Sequence, residues 1–387
     1  MIVVGGGPVG LGAALALRRG GYDVDLLESR TEDAPREGSR ALFLHHDTLA
    51  LIRDLDDGLV ERLVNRGVQW RMRRTLFRGR LVHEKEYRGG SVAADGLPPF
   101  VSLRQSETEE MLESACLAAG VKIHWATEVV DVMRSSDQVG VTTKDGRSWS
   151  SPYVIGADGA RSQVRRSCGL GMEGATAEGF HVVLDVADPD QAPDALTRTF
   201  HYEHPALGGR TVMHIPYARG FQVDLQCRTT DSSEEMTRPD VAAEWLTAVV
   251  PGADPGRIQW ISKYLFHQVV AESMVDSSGR ILLAGEAAHL FPPFGARGLN
   301  SGLFDAVAVS RAVDGGPDGV AQYNRTRLLA ARRNRDAAAE ALRHMRPDSV
   351  MRIRQIAAAT IASKSSHAAR WLERAPYGPD TNLATRY

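Results

Sequence analysis

A glycine-rich turn near the start of the chain limits the possible folds more than any other feature. The turn, GGGPVG from Gly5 to Gly10, follows an apolar run from Ile2 to Val4 and precedes a helical pattern that begins at Leu11. Between a strand and a helix, the first glycine of G-x-G-x-x-G makes the turn. The second admits a pyrophosphate, and the third lets helix and strand pack closely. The sequence therefore predicts a Rossmann-like α/β unit.

A second apolar run adds an acidic residue to this unit. The run from Val24 to Leu27 ends at Glu28, eighteen residues beyond Gly10. An acid at this position accepts hydrogen bonds from a ribose 2′-hydroxyl and repels a 2′-phosphate. Strand, turn, helix and terminal acid together favour a binding role for the glycines over a purely structural one. We therefore predict that an adenine dinucleotide binds here.

Length and composition indicate a two-domain enzyme. The chain has 387 residues, 43% hydrophobic and 24% charged, and its formal net charge of −2 gives no reason to expect a nucleic-acid partner. Residues 1–17 carry no charge, but a basic start is missing and glycines break the run. We therefore expect neither a signal peptide nor a membrane span, and a cytoplasmic location. Cys116, Cys168 and Cys227 lack metal-ligand spacing, so we expect a reducing compartment and no metal.

The stretch from Ile281 to Ala306 predicts a strand and a helix separated by an irregular loop. Two prolines prevent strand pairing in the loop, and helical spacing resumes after Gly298, so N–H groups near Leu299 and Asn300 are expected to be unpaired. Such a helix start stabilises a negative charge by about 0.3–1 kcal/mol when exposed and up to about 2 kcal/mol when partly buried. A flat ring that becomes anionic on reduction would benefit. The alternative is an ordinary turn with Asn300 or Ser301 as the helix cap.

Two other stretches carry polar residues where a ligand could lie. The apolar run from Val154 to Ala157 ends at Asp158, which predicts a carboxylate at the carboxyl end of a strand, although an Asp-Gly turn explains the same pattern. Arg40 could meet a phosphate or pair with a surface acid. It precedes a predicted helix. The apolar positions of that helix are Leu42, Leu49, Ile52 and Leu55, and its expected cap is Asp47.

Residues from Val182 to Met274 predict a second, mainly antiparallel sheet. Apolar and polar residues alternate from Phe221 to Cys227, which indicates one buried and one solvent-facing side. Because the nucleotide-domain pattern resumes after this segment, the segment interrupts that domain, and a substrate pocket is expected at the boundary. After Gly319 the pattern is helical, with a stop at Pro347 and a further helical segment from Met351 to Leu372.

Three separate motifs occur in an order that resembles a known family. They are GGGPVG from Gly5 with Glu28, DGARSQVR from Asp158, and GEAAH from Gly285 with the following PPFGARGLNSG. In this combination the chain resembles the single-component, FAD-dependent aromatic hydroxylases related to p-hydroxybenzoate hydroxylase. The similarity in layout spans residues 1–320, although the inserted segment matches only by its position and strand texture.

The resemblance implies FAD as cofactor, and NADPH or NADH as a reductant that binds transiently, because a single dinucleotide fingerprint occurs. Glu286 stands where the family usually has an aspartate that binds the ribityl chain, and the extra methylene moves the carboxylate by about a bond length. His289 belongs to the third motif and is expected to be structural. The cofactor-binding residues implied by the resemblance are Gly5, Gly7, Pro8, Gly10, Glu28, Arg40, Gln105, Val129, Asp158, Gly285, Glu286, Pro293, Gly298, Leu299 and Asn300.

The implied fold class is α/β. A Rossmann-like FAD-binding domain is interrupted by an antiparallel-sheet substrate domain and followed by C-terminal helices. The expected boundaries are 1–70, 100–180 and 270–316 for the FAD-binding domain, 71–99 and 181–269 for the substrate domain, and 317–387 for the C-terminal helical segment.

The implied activity is hydroxylation of an aromatic or polycyclic aromatic small molecule with NAD(P)H and O₂, through a flavin C4a-hydroperoxide. No residue is assigned as catalytic, although His214, Tyr217 or His267 could supply a base. A flavin oxidase or reductase of similar fold and a non-catalytic FAD-bound protein stay open as alternatives. The protein is expected to be a monomer or a homodimer. The candidate substrate contacts are Trp70, His214, Tyr217, Tyr264, Phe266 and Pro293.

Overall fold

The computed structural model describes residues 1–36, 41–87, 92–192 and 196–378. Its strands are β1 (Ile2–Val4), β2 (Asp25–Leu27), β3 (Ala41–His45), β4 (Met72–Phe77), β5 (Arg80–Glu86), β6 (Phe100–Arg104), β7 (Lys122–His124), β8 (Val129–Arg134), β9 (Val139–Thr143), β10 (Ser148–Ser151), β11 (Val154–Gly156), β12 (Met172–Ala187), β13 (Thr197–His204), β14 (Arg210–Tyr217), β15 (Gly220–Gln226), β16 (Ile258–Ala271), β17 (Ile281–Leu283) and β18 (His289–Leu290). Its helices are α1 (Pro8–Arg19), α2 (His46–Leu55), α3 (Asp57–Arg66), α4 (Gln105–Ala118), α5 (Gln163–Ser167), α6 (Ser233–Met236), α7 (Pro239–Val249), α8 (Arg297–Asp314), α9 (Gly316–Met345), α10 (Ser349–Ile361) and α11 (Ser366–Arg374). Within these residues, no helix combines the length and the apolar character needed to span a membrane.

A parallel sheet in the order β17-β11-β1-β2-β7 carries the three sequence motifs. The strands β1, β11 and β17 are buried at every position, as parallel strands covered on both faces usually are. Parallel strands end at the same edge of a sheet. The chain leaves β1, β2, β11 and β17 at that edge as Gly5, Glu28, the segment before Asp158, and the turn at Gly285. The topology therefore gathers the motifs where ligands of open α/β sheets bind.

Two glycines explain how the first turn fits against this edge. Gly5 has a φ of 103°, and a Cβ there would lie 2.4 Å from the carbonyl oxygen of Ala157. A Cβ at Gly10 would lie 1.9 Å from the carbonyl oxygen of Gly5. The turn therefore requires glycine at both positions, as the fingerprint predicts. The Rossmann-like part of the predicted fold class is confirmed.

The inserted segment lies in a larger sheet of order β18-β16-β12-β15-β14-β13-β4-β5. Neighbouring strands are antiparallel except β13 and β4, which are parallel. The predicted solvent-facing side is wrong, because every residue of β15 is buried and Gln222, Asp224 and Gln226 are 5%, 3% and 9% exposed. One face of the sheet packs on α7, and the C-terminal helices and Phe294 cover the other. The alternation thus separates an apolar interior face from a polar interior face.

The C-terminal helices connect the two sheets. The hydroxyl of Tyr323 in α9 donates a hydrogen bond of 2.7 Å to the carbonyl oxygen of Leu283 in β17. The carboxyl-terminal half of the same helix packs in the core that supports the larger sheet. The helical pattern predicted after Gly319 is confirmed, and α9 and α10 are separated at the expected stop, Pro347.

The helix predicted with Leu42 as its first apolar position begins later than expected. Residues 41–45 form β3, which pairs with β6, and α2 begins at His46 with His45 instead of Asp47 as its cap residue. The strand forms because β6 supplies its hydrogen-bond partner from a distant part of the chain. Local periodicity does not reveal such a partner.

Candidate functional site

The start of α1 is open toward a ligand. The helix begins at Pro8, and its cap residue Gly7 makes no side-chain hydrogen bond to the first N–H groups. No acidic residue lies in the first turn. The helix start therefore combines unpaired donors with the positive end of the helix dipole, an arrangement that binds phosphate groups.

Glu28 lies directly beside this turn. One carboxylate oxygen accepts a hydrogen bond of 2.5 Å from the backbone N–H of Gly6. The other accepts from the backbone N–H of Arg30 at 2.8 Å and from its Nε at 3.2 Å. Glu28 is 6% exposed. The acid therefore occupies the predicted position, and its hydrogen bonds fix it against the glycine turn.

Asp158 supports the second motif. Its carboxylate accepts hydrogen bonds from the hydroxyl of Ser162 (2.5 Å) and from the backbone N–H groups of Gln163 (2.7 Å) and Val164 (3.0 Å). These bonds satisfy donors at the start of α5. For the carboxylate itself, the structure therefore matches the turn-and-cap alternative.

The third motif contacts the other two. Gly285 has a φ of 62°, and a Cβ there would lie 2.9 Å from a methyl carbon of Val9 in the first turn. Arg165 of the second motif donates a hydrogen bond of 2.8 Å to the carbonyl oxygen of Ala287. The three distant segments therefore converge at the edge of the parallel sheet.

A buried charge network holds the third motif in place. Asp305 accepts hydrogen bonds from the backbone N–H of Gly285 (3.1 Å) and from Nε of Arg327 (2.6 Å), and pairs with His289 at 2.7 Å. Burial by itself raises the pKa of Asp305, but the charges of Arg327 and His289 outweigh it and the pKa is lowered below its ordinary value. His289 is 1% exposed and lies in this network, where its position is that of a structural residue.

The other predicted cofactor contacts are dispersed. Gln105, at the start of α4, donates a hydrogen bond of 2.8 Å to Glu109. Val129 is 9% exposed and packs in the core. Glu286 is exposed and makes no hydrogen bond to the described residues. Arg40 lies outside the described residues.

The start of α8 is also open. The helix begins at Arg297 after Ala296, whose φ of 53° is left-handed and whose side chain makes no cap hydrogen bond. The first N–H groups of a helix have no partner within it, and here they include those of Gly298 and Leu299. Both residues are half-buried, and Pro293 in the preceding loop is exposed. This arrangement matches the expected anion-stabilising helix start.

Asn300 does not cap α8. It is 1% exposed, and its side chain connects α8 to β3 and α2. The side-chain oxygen accepts from the backbone N–H of His45 (3.1 Å) and the hydroxyl of Thr48 (2.6 Å). The side-chain nitrogen donates to the carbonyl oxygens of Phe43 (2.8 Å) and Ala296 (2.7 Å). Asn300 therefore fixes the position of the helix start.

A cavity of about 1100 Å³ opens next to this helix start. Gly295, Arg297 and Asn300 line it from the α8 side, and Phe43 and His45 line it from β3. His45 lies within hydrogen-bond distance (3.0 Å) of the carbonyl oxygen of Gly295 through Nε2. Burial lowers the pKa of His45, and the charge of Arg297 lowers it further, so the imidazole is neutral at pH 7.

Phe43, which lines the cavity, belongs to an aromatic cluster. Phe43 lies 4.6 Å from Phe100 and 5.0 Å from Trp70, measured between ring centroids. Trp70 is 3% exposed and donates a hydrogen bond of 3.0 Å to the carbonyl oxygen of Pro216. Trp70 therefore packs against a residue that lines the cavity.

His214 and Tyr217 lie elsewhere. His214 lines a separate cavity of about 170 Å³ beside Pro251, and burial lowers its pKa to about 4. Tyr217 is fully buried, its hydroxyl accepts a hydrogen bond of 3.2 Å from Arg104, and burial raises its pKa to about 12. His267 pairs with Thr176 at 2.9 Å. None of these three candidate bases lines the larger cavity.

Tyr264 and Phe266 lie on the polar interior face of the larger sheet. The hydroxyl of Tyr264 donates to Asp224 at 2.8 Å, and the other oxygen of Asp224 pairs with His181. Phe266 lies 4.4 Å from the ring of His181 and 5.6 Å from Phe294, the residue that follows Pro293. Through the contact between Phe266 and Phe294, this group therefore packs against the loop that precedes α8.

Sequence reasoning missed the residues that the C-terminal helices and the larger sheet contribute to the cavity. Arg73 and Tyr377 line the cavity, and Arg198 lies against Tyr377. Arg73 stands in an arginine-rich stretch with Arg71 and Arg74, a pattern typical of a solvated surface, but its side-chain exposure is only 15%.

The match to a protein family agrees with this geometry. A family model described as "FAD binding domain" matches residues 1–343. The chain therefore belongs to this family of FAD-binding proteins, and FAD is its cofactor. The resemblance to the FAD-dependent aromatic hydroxylases is confirmed, and so is the predicted fold class.

Particular relatives narrow the comparison. The chain is 31% identical over 315 residues to 6-methylpretetramide 4-monooxygenase of Streptomyces rimosus. The matched region covers 79% of this chain and 54% of that protein. It is 29% identical over 315 residues to dialkyldecalin synthase of Streptomyces rugosporus, covering 79% and 63%. The chain thus spans between half and two thirds of the length of these relatives. The crystal structure of p-nitrophenol 4-monooxygenase PnpA from Pseudomonas putida DLL-E4 has a TM-score of 0.78 at 23% identity, covers 98% of each chain, and supports the fold.

Proposed function

We propose that the chain is an FAD-dependent monooxygenase that hydroxylates an aromatic small molecule with O₂ and NADPH or NADH. The observation that carries this proposal is the convergence of three motifs at the sheet edge, together with an open helix start at a cavity of about 1100 Å³ lined by Phe43 of the aromatic cluster. Relatives named as monooxygenases of aromatic compounds support it.

The residues present fit FAD at both ends of the proposed site. The open start of α1 would hold the pyrophosphate, and Glu28 would bind the adenosine ribose by exchanging part of its present hydrogen bonds. The N–H groups of Gly298 and Leu299 would face the pyrimidine edge of the flavin, with Pro293 beside the ring. Bound FAD supplies the electron transfer and the oxygen activation, which no protein side chain can perform.

The contribution of the protein is to position the reacting ring. Phe43 lines the cavity and would pack against an aromatic substrate, and the buried rings of Trp70 and Phe100 hold Phe43 in place. The neutral His45 is fixed by Gly295 and completes the floor of the cavity. The start of α8 would stabilise the negative charge of a reduced, anionic flavin. No residue is assigned as an acid or a base.

The nicotinamide donor is proposed to bind transiently, because the chain contains a single dinucleotide fingerprint. A cytoplasmic monomer or homodimer fits the composition. The domain boundaries expected from the sequence remain part of this proposal.

Isotope incorporation gives the test. Purified protein loaded with FAD is incubated with NADPH or NADH, ¹⁸O₂ and a panel of phenols and polycyclic phenols. The proposal expects NAD(P)H oxidation that accelerates with a substrate, and a product that carries one ¹⁸O atom. Oxidation that no member of the panel accelerates, with hydrogen peroxide as the sole product, would refute it.

One relative is named a synthase rather than a monooxygenase, which favours a second candidate function. Glu286 in place of the usual aspartate favours the same alternative, because the longer side chain would alter the expected contact to the flavin. In this alternative, FAD is bound but transfers no oxygen atom. The same isotope experiment separates the two, because FAD would then remain bound while no ¹⁸O entered any product.

A further inference from the structure

Two neighbouring arginines of the larger sheet have no role in the site described so far. Arg198 in β13 and Arg73 in β4 are register partners in the parallel pair of strands. Their side chains therefore leave the same face of the sheet, with backbones about 5 Å apart. Arg198 is 4% exposed, and the side chain of Arg73 is 15% exposed.

Arg198 is buried without an acidic partner among the described residues. Its guanidinium donates a hydrogen bond to the sulfur of Met213 at 3.0 Å. It lies over the rings of Tyr377 at 4.5 Å and Trp70 at 5.5 Å. A guanidinium has five N–H donors, whereas a thioether is a weak acceptor and ring faces attract the charge without replacing strong acceptors. The hydrogen-bonding capacity of Arg198 is therefore largely unused.

Arg73 has an acidic partner but retains unused capacity too. It pairs with Glu373 of α11, while its Nε is buried without a hydrogen-bond partner in the described residues. Its guanidinium lies 4.8 Å from the ring of Tyr377 and 5.8 Å from that of Tyr87. The hydroxyl of Tyr377 is also buried without a partner. Glu373 thus pairs with Arg73 alone, and the positive charge of Arg198 is left without a carboxylate among the described residues.

Arg73 of this pair lines the cavity beside the loop that carries Gly295, whereas Arg198 lies next to the cavity, over the ring of Tyr377. Arg73 and Tyr377 line the cavity, together with Gly295 of that loop. Trp70, which lies under Arg198, packs against Phe43 of the same cavity wall. The cavity wall as a whole carries more basic than acidic residues. Its charged residues are Arg73, Arg297, Arg370, Arg374, Asp47 and Glu340.

We propose that Arg198 and Arg73 form an anion subsite that binds a carboxylate group of the aromatic substrate. A carboxylate matches the planar fork of a guanidinium, and the rings of Trp70 and Tyr377 hold the fork of Arg198 in one orientation. The Tyr377 hydroxyl supplies one more donor. This inference rests on the proposed function, because it names the substrate class for the same cavity. The substrate is accordingly an aromatic acid, with its ring against Phe43 of the cavity wall.

The rival explanation is a structural arginine that the two rings alone stabilise. A buried charge without a partner is costly, and replacing it with an apolar side chain of similar volume is often neutral or stabilising. The two explanations therefore differ in their predictions for Arg198→Met. A structural arginine gives a less stable variant with unchanged ligand preference. A ligand-binding arginine gives a variant of equal or higher melting temperature that has lost its preference for acids.

The experiment measures binding to the FAD-loaded protein through the change in flavin absorbance. The probes are matched acids and amides, namely 3-hydroxybenzoate and 3-hydroxybenzamide, 3-(3-hydroxyphenyl)propionate and its amide, and 6-hydroxy-2-naphthoate and its amide. Wild type should bind at least one acid about 10- to 100-fold more tightly than its amide, as expected for a charge-assisted hydrogen-bond pair. Arg198→Met should abolish this preference, and Arg198→Lys should retain a part of it, because lysine keeps the charge but not the fork.

Arg74→Met is the matched control. Arg74 follows Arg73 in β4, its side chain leaves the opposite face, and it pairs with Glu84 at the surface. This variant should keep the acid preference of wild type. Equal binding of acids and amides by wild type, no binding of either, or a preference that survives Arg198→Met would overturn the subsite.

The outcome is separable from that of the proposed function. Incorporation of ¹⁸O into neutral phenols without any preference for acids leaves the monooxygenase and removes the subsite. Tight, Arg198-dependent binding of acids without ¹⁸O incorporation leaves the subsite and removes the monooxygenase.

Discussion

Replacement of Asn300 by alanine tests how the α8 start is held in place. The side chain makes four hydrogen bonds within the buried joint between α8, β3 and α2. At a net contribution of about 1 kcal/mol each, their loss lowers the free energy of unfolding by about 4 kcal/mol. The partners left behind include the hydroxyl of Thr48, which is fully buried and loses its acceptor.

The same change should weaken FAD binding, because the helix start moves away from the flavin. If the hydrogen bonds from the N–H groups of Gly298 and Leu299 to the flavin are both lost, at about 1 kcal/mol each, the dissociation constant of FAD rises by up to about 30-fold. Thermal unfolding of the apoprotein, followed by circular dichroism, measures the first effect. Quenching of flavin fluorescence on titration with apoprotein measures the second.

Asn324→Ala provides the control for this prediction. Asn324 accepts hydrogen bonds from the backbone N–H of Met274 (2.8 Å) and the hydroxyl of Ser273 (3.1 Å), away from the cavity. We expect this variant to lose about 2 kcal/mol of stability and to keep the FAD affinity of wild type. The reasoning fails if Asn300→Ala is no less stable than a surface variant, or if both variants bind FAD equally well.

Three further substitutions test the motifs themselves. Glu28→Ala should release FAD from the purified protein, because the acid is proposed to bind the adenosine ribose, and the ratio of absorbance at 450 to 280 nm reports this. Asp305→Asn should flatten the stability profile at acid pH. The pKa of Asp305 is lowered, so its contribution is complete above the ordinary value of 3.8 and is lost as the pH falls through the lower pKa of the folded state. Gly302→Ala should destabilise the protein by about 1–3 kcal/mol although alanine favours helices, since the new Cβ would lie 2.6 Å from a methyl carbon of Val9.

Each of these substitutions has its own control. Glu32→Ala, at an exposed position near Glu28, should leave the flavin content unchanged. For Asp305→Asn, urea unfolding between pH 3 and pH 7 should show a decline in stability at acid pH in wild type that is smaller in the variant. An equally steep decline in both would contradict the assignment. For Gly302→Ala, the added change Val9→Ala should restore part of the loss, and strictly additive effects would exclude the proposed clash.

The motifs at the sheet edge could be predicted from sequence because their constraints are local. Gly5 and Gly10 are required by contacts within one strand-turn-helix unit, and Glu28 follows directly from the end of the next strand. The open start of α8 has the same character, since Gly298 and Leu299 follow a loop that prolines keep out of the sheet. Spacing along the chain is sufficient information for such features.

The substrate side of the site could not be predicted, because its residues meet across long sequence separations. Alternation along β15 has the same pattern whether its polar side faces water or a second layer, and the helices that bury Asp224 come more than a hundred residues later. The ion pair between Arg73 and Glu373 joins residues from distant parts of the sequence. The helix expected at Leu42 became a strand for the same reason, since β6 supplies its partner.

The turn at Tyr377 connects the proposed anion subsite to the loop that carries Gly295, just before α8. The carbonyl oxygen of Tyr377 accepts a hydrogen bond of 2.8 Å from Arg297 in the first turn of α8. A Cβ at Gly295 would lie 2.7 Å from the same carbonyl oxygen, so the loop and the turn are in close contact. The ring of Tyr377 lies between the guanidinium groups of Arg73 and Arg198. A carboxylate bound by these arginines would therefore touch a residue whose backbone holds the start of α8. If the proposed subsite binds the substrate, substrate binding and flavin position would share one physical support.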